Sequence, residues 1–123
     1  MSFNDYVSDF VARINNAIMV QKPVVTVRNS KLITNITKKL VRLGYFKEYK
    51  EFDDTLEIII DYDKSNKLTR YSKPGQRQYV SYERFPRVVG GRGFNIVTTS
   101  KGIMTNHESK QNKIGGELLF QIY

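Results

Sequence analysis

Two apolar stripes at helical spacing, both completed before Gly44, constrain the architecture of this chain more than any other feature. Tyr6, Val7, Phe10, Val11, Ile14, Ala17 and Ile18 recur every three or four residues and predict an amphipathic helix, with Asn4 or Asp5 as N-cap. The helix ends at Gln21-Lys22-Pro23, because the residue before proline avoids helical angles. Leu32, Ile33, Ile36, Leu40 and Leu43 form the second stripe. Asn29-Ser30 caps its start, and Gly44 supplies a left-handed residue at its end. Between the two stripes, Val24-Val25-Thr26-Val27 is short and β-branched, a strand. Phe46 to Phe52 and Thr55 to Tyr62, joined at Asp53-Asp54, predict a hairpin.

Beyond residue 62 the helical period disappears. Asp63-Lys64-Ser65-Asn66-Lys67 is polar and unpatterned, the expected linker. Leu68 to Ser72 and Arg77 to Ser81 predict a hairpin around Lys73-Pro74-Gly75-Gln76, where Pro then Gly suits a type II turn. Phe85 to Val89 is expected to make one helical turn, and Phe94 to Thr98 a strand running out into Thr99-Ser100-Lys101-Gly102. Thr105 and Glu108 have capping-box spacing and open a short helix that stops near Gly115-Gly116; Glu117 to Tyr123 is a closing strand. The expected fold class is α+β: an α-β-α-β-β domain over residues 1–62, and a mostly β domain with a short helix over residues 68–123.

Charge divides along the same boundary. Residues 1–62 carry nine Lys/Arg against eight Asp/Glu, whereas residues 63–123 carry eleven against four, so +7 of the chain's +8 belongs to the second half. Such a field attracts polyanions, because each neutralised phosphate releases condensed counterions. The seven Phe and eight Tyr supply a core that a basic disordered tail lacks. The absence of Cys excludes disulfides, thiolate metal sites and thiol nucleophiles, and one His leaves no multi-histidine site. No apolar run approaches the length of a membrane span, and no cofactor or membrane partner is expected. Two alanines against many Phe, Tyr, Ile, Asn and Lys indicate an AT-rich genome. With no transit-like N-terminus, that bias favours a mitochondrion-encoded chain over a plastid or bacterial one.

Three segments offer chemistry. Thr98-Thr99-Ser100 followed by Lys101-Gly102 places adjacent hydroxyls, a cation and a glycine at a strand end. Hydroxyls both donate and accept, so they read base edges and 2′-hydroxyls in a shallow RNA minor groove. The same residues also fit an ordinary strand-to-helix turn with hydroxyl caps. Ser72 to Tyr79 brings Lys73 and Arg77 near one another beside the Tyr79 ring, a combination suited to phosphate contact and stacking, and equally to a hairpin with solvated charges. Gly90-Gly91-Arg92-Gly93 lacks the Lys-Ser/Thr of a nucleotide loop. His107 beside Glu108 is the one acid–base pair with an imidazole, and nothing around it completes a catalytic set.

Thr98-Thr99-Ser100-Lys101-Gly102-Ile103-Met104-Thr105, with Gly115-Gly116-Glu117 at the matching separation, resembles the signature of the small-subunit ribosomal protein eight family, bacterial and organellar form. Ser72-Lys73-Pro74-Gly75-Gln76-Arg77-Gln78-Tyr79 is similar to a second block, with Lys73 where arginine is usual; Asp9 to Asn16 and Asn29-Ser30-Lys31-Leu32 fit a third. The resemblance implies a non-enzymatic constituent of the small ribosomal subunit, binding a central-domain stem of its RNA early in assembly, among neighbouring ribosomal proteins. It further implies RNA contacts by Thr98, Thr99, Ser100, Lys101 and Gly102, with Tyr79, Lys73, Arg77 and Glu117 on the same face, and peripheral contacts by Arg13, Asn16, Ser30 and Lys31. Repression of its own messenger through a mimic of that stem is a related implied role. A small RNA-directed enzyme using His107 and Glu108, or a non-specific nucleic-acid binder, are the alternatives.

Overall fold

A computed structural model describes residues 3–63, 67–72, 76–88 and 93–123. It is an α+β protein whose backbone contacts divide it into two units, Met1–Lys67 and Leu68–Tyr123.

In the first unit, α1 (Phe3–Met19) precedes β1 (Val24–Arg28), α2 (Lys31–Leu43), β2 (Phe46–Glu51) and β3 (Thr55–Ile60). The strands form an antiparallel sheet in the order β1-β3-β2. Val7, Phe10 and Ile14 of α1 and Ile33, Ile36 and Leu40 of α2 are fully buried, as are Leu56 and Ile58 on β3. Phe10 meets Phe46 edge to face, with ring centroids 6.4 Å apart. The Ser30 side chain accepts from the Ile33 N–H at 3.2 Å, and Gly44 closes α2 at φ 92°. The first helix begins at Phe3, so Asn4 and Asp5 lie inside it rather than capping it. Its far end is tied by Tyr62, whose hydroxyl lies 2.9 Å from the Ala17 carbonyl and 2.6 Å from that of Lys22.

In the second unit, β4 (Leu68–Arg70), β5 (Tyr79–Val80), β6 (Phe94–Thr99), β7 (Gly102–Thr105), α3 (Asn106–Asn112) and β8 (Gly116–Ile122) follow in order. The sheet runs β4-β8-β6-β7, with β5 also on β8. Three expectations need correction. Leu68 to Ser81 is not a hairpin: β4 and β5 lie one after the other on the same edge of β8, Arg70 opposite Phe120 and Tyr79 opposite Glu117. Buried Ser72 sets that arrangement, its Oγ accepting from the Gln78 N–H at 2.9 Å. Within Phe85 to Val89, residues 85–88 make no helical turn, and Val89 lies outside the described residues. Pro86 keeps Phe85 from helical angles, and the buried Asn95 side chain holds the Pro86 carbonyl at 3.1 Å. Gly102 to Thr105 is a strand where the sequence showed only a connection between strand and helix. The helix α3 stops close to Gly115-Gly116 as expected, with Lys113 (φ 53°) as its C-cap. The capping box is present: Thr105 Oγ1 accepts from the Glu108 N–H, while the Glu108 carboxylate accepts from the Thr105 N–H, both at 3.2 Å. Leu119 is the extra residue of a bulge in β8, since Ile96 faces Phe120 and Val97 faces Leu118.

Candidate nucleic-acid interface

Strand β7 turns the hydroxyl segment into the apex of a β-hairpin, with Thr99 opposite Gly102 and only Ser100-Lys101 between them. The positive φ falls on Gly102 (110°), where nothing lies within 4 Å of an added Cβ. Glycine is therefore required for conformation rather than for space. Thr99 braces the apex from inside: its hydroxyl donates to the Gly102 carbonyl at 2.9 Å and accepts from the Lys101 N–H at 3.1 Å. Ser100 and Lys101 are exposed. Of the hydroxyls proposed to read RNA, the apex thus spends Thr99 on itself and leaves Ser100 outward.

Register places a second set of side chains beside the apex. Tyr79, Glu117, Thr98 and Ile103 lie directly opposite one another across β5, β8, β6 and β7, so their side chains share one face. Tyr79 is 67% exposed and Glu117 only 6%. Arg77 stands 3.9 Å from Glu117 Oε1, whereas Oε2 is buried with no hydrogen-bond partner among the described residues. A carboxylate oxygen left so costs about 1–3 kcal/mol and is relieved by any incoming N–H or O–H. The other face of these strands carries buried Val97, Met104 and Leu118. Gly116 is forced by backbone approach, because an added Cβ would stand 2.1 Å from the Thr98 carbonyl oxygen.

Of the remaining sequence candidates, Lys73 lies outside the described residues, as do Pro74, Gly75, Gly90, Gly91 and Arg92. Arg13 pairs with Asp9 at 2.9 Å and, with Asn16 and Lys22, lines a cavity in the first unit. Ser30 spends its hydroxyl capping α2; Lys31 is exposed and shares a second cavity with Lys38, Glu51 and Asp53. His107 packs edge-on against Phe94, and Glu108 is committed to the capping box, so the pair is not poised as acid and base. Among the described residues no group of His, Cys, Asp and Glu fits a metal ion, and no helix is long and apolar enough to cross a membrane. Sequence reasoning missed Ile103 as a member of the interface row. The signal was the Ile103–Thr98 pairing, which exists only once β7 is recognised as a strand.

Fold and site together define a basic α+β protein presenting a polar hairpin apex, braced by Thr99, beside a tyrosine and a buried carboxylate. The family described as ribosomal protein S8 matches residues 5–123, and the chain belongs to it. The small ribosomal subunit protein uS8 of Bacteroides fragilis is 43% identical across 97% of this chain and 98% of its own length. The proteins of the same name from Bacteroides thetaiotaomicron (42%) and Porphyromonas gingivalis (40%) match over the same shares.

Proposed function

We propose that the chain, a structural constituent of the small ribosomal subunit by family, binds a central-domain stem of the small-subunit RNA through its second unit. The observation that carries this reading is the apex itself: Ser100 and Lys101 held outward by Thr99, next to a row containing exposed Tyr79 and a Glu117 Oε2 without a partner among the described residues. Ser100 supplies a donor and acceptor for base edges or a 2′-hydroxyl in a minor groove, and Lys101 meets a phosphate. Glu117 Oε2 accepts an N–H or O–H of the kind RNA carries, and Tyr79 offers a stacking face. Gly102 contributes its backbone conformation. Lys73 and Arg77 add phosphate attraction, and Arg13, Asn16, Ser30 and Lys31 are proposed as peripheral contacts. The bacterial hosts of the relatives support a bacterial ribosome rather than the mitochondrial one that composition favoured.

Gel-shift titration against a central-domain RNA fragment tests this. Ser100→Ala should weaken cognate binding by about 1–3 kcal/mol, the cost of leaving a buried polar partner unpaired, and leave random RNA unaffected. Arg77→Ala should lower affinity for both RNAs and flatten the salt dependence by about one unit. Equal losses on cognate and random RNA for Ser100→Ala would defeat the assignment of the apex.

A further inference from the structure

Two described residues other than glycine adopt positive φ: Gln21 (54°) after α1 and Lys113 (53°) after α3. Side chains pay for this conformation, and α2 avoids the cost by ending on Gly44 at φ 92°. Gln21 is uncharged and belongs to the first unit. Lys113 is exposed, cationic and differently placed.

The Asn106 side chain at the start of α3 accepts from the Asn95 N–H, near the beginning of β6. The chain leaves α3 at Asn112 and enters β8 at Gly116. Only Ile114 and Gly115 separate Lys113 from Gly116, where an added Cβ would crowd Thr98 and Thr99 backbone atoms within 3.2 Å. Three residues of chain span at most about 10 Å, so Lys113 lies within that reach of the Thr98-Thr99 end of β6, which runs into Ser100-Lys101. Its own backbone fixes it there: the Lys113 N–H donates to the Lys110 carbonyl at 3.3 Å and the Ile114 N–H to that of Ser109 at 3.1 Å.

Resting on the RNA-binding reading above, we propose that Lys113 is a second phosphate contact flanking the apex, a cation held at a position where glycine would be more relaxed. Lys101 and Lys113 enter the same end of the sheet from different connections, β6–β7 and α3–β8, so they approach backbone on two sides of an inserted apex.

The test uses the full chain and a transcript of the central domain of Bacteroides fragilis small-subunit RNA, with Lys113→Gly, Lys113→Arg and Ser100→Ala compared. Lys113→Gly should keep or raise the melting temperature while lowering affinity about three- to tenfold at low salt. The slope of log K against log salt should fall by nearly one. Lys113→Arg should bind as the parent does. A lowered melting temperature in Lys113→Gly would remove the strain argument. Unchanged affinity in that variant, with Ser100→Ala still impaired, would overturn the Lys113 contact alone. If Ser100→Ala also binds normally, the RNA reading fails instead.

Discussion

Glycines 102 and 116 serve the apex by different physics, and their alanine variants separate the two. At Gly102 the space is open and the φ of 110° is the obstacle. Gly102→Ala should cost about 1–3 kcal/mol as backbone strain confined to the apex. It should depress RNA affinity along with stability. At Gly116 the obstacle is the Thr98 carbonyl at 2.1 Å, which belongs to β6, an inner strand of the sheet. Gly116→Ala must push β8 away from β6 and should cost about 1–3 kcal/mol or more by overpacking. Thermal melts read both; hydrogen exchange in β8 should accelerate for Gly116→Ala and stay near parental for Gly102→Ala. Tyrosines give a pH test at the same scale. Burial raises Tyr45 and Tyr62 above the ordinary value of 10.0. A group whose folded pKa is raised contributes stability fully present below its unfolded pKa and lost as pH rises through the folded one. Stability should therefore fall above about pH 10, and Tyr45→Phe should blunt that fall in alkaline melts relative to the parent.

Elements differ in how plainly the sequence announces them. The helices α1 and α2 were legible because their signal is local: a stripe, a Ser30 cap, a Gly44 stop. Thr105 and Glu108 were legible for the same reason, and Thr105→Ala should destabilise α3 by about 1 kcal/mol, seen as a lower melting temperature. Strand β7 was not, because four residues headed by glycine show no alternation, and only pairing with β6 makes them a strand. Likewise β4 and β5 have turn residues between them that suggest a hairpin. Their real partner is β8, nearly forty residues or more further along. The candidate site follows the same rule. Its hydroxyl apex was visible as composition, whereas the row of Tyr79, Glu117, Thr98 and Ile103 depends on register among four strands.

Across the whole molecule, charge and core are distributed unequally between the two units. Residues 63–123 carry +7 of the net charge, and residues 1–62 hold both long amphipathic helices. Salt should therefore act on RNA binding far more than on folding of the first unit, whose stability comes from burial of side chains such as Phe10, Ile36 and Leu56. Order along the chain adds a temporal consequence. The first sheet owns all its strands once Ile60 has been synthesised, but β8 sits between β4/β5 and β6 and is translated after every strand it joins. While the nascent chain still lacks β8, β4 and β5 have no edge to dock on, and the β6–β7 hairpin stands without its inner neighbour. If the second unit binds RNA as proposed, that competence is complete only once β8 has docked, so a half-made chain lacks it.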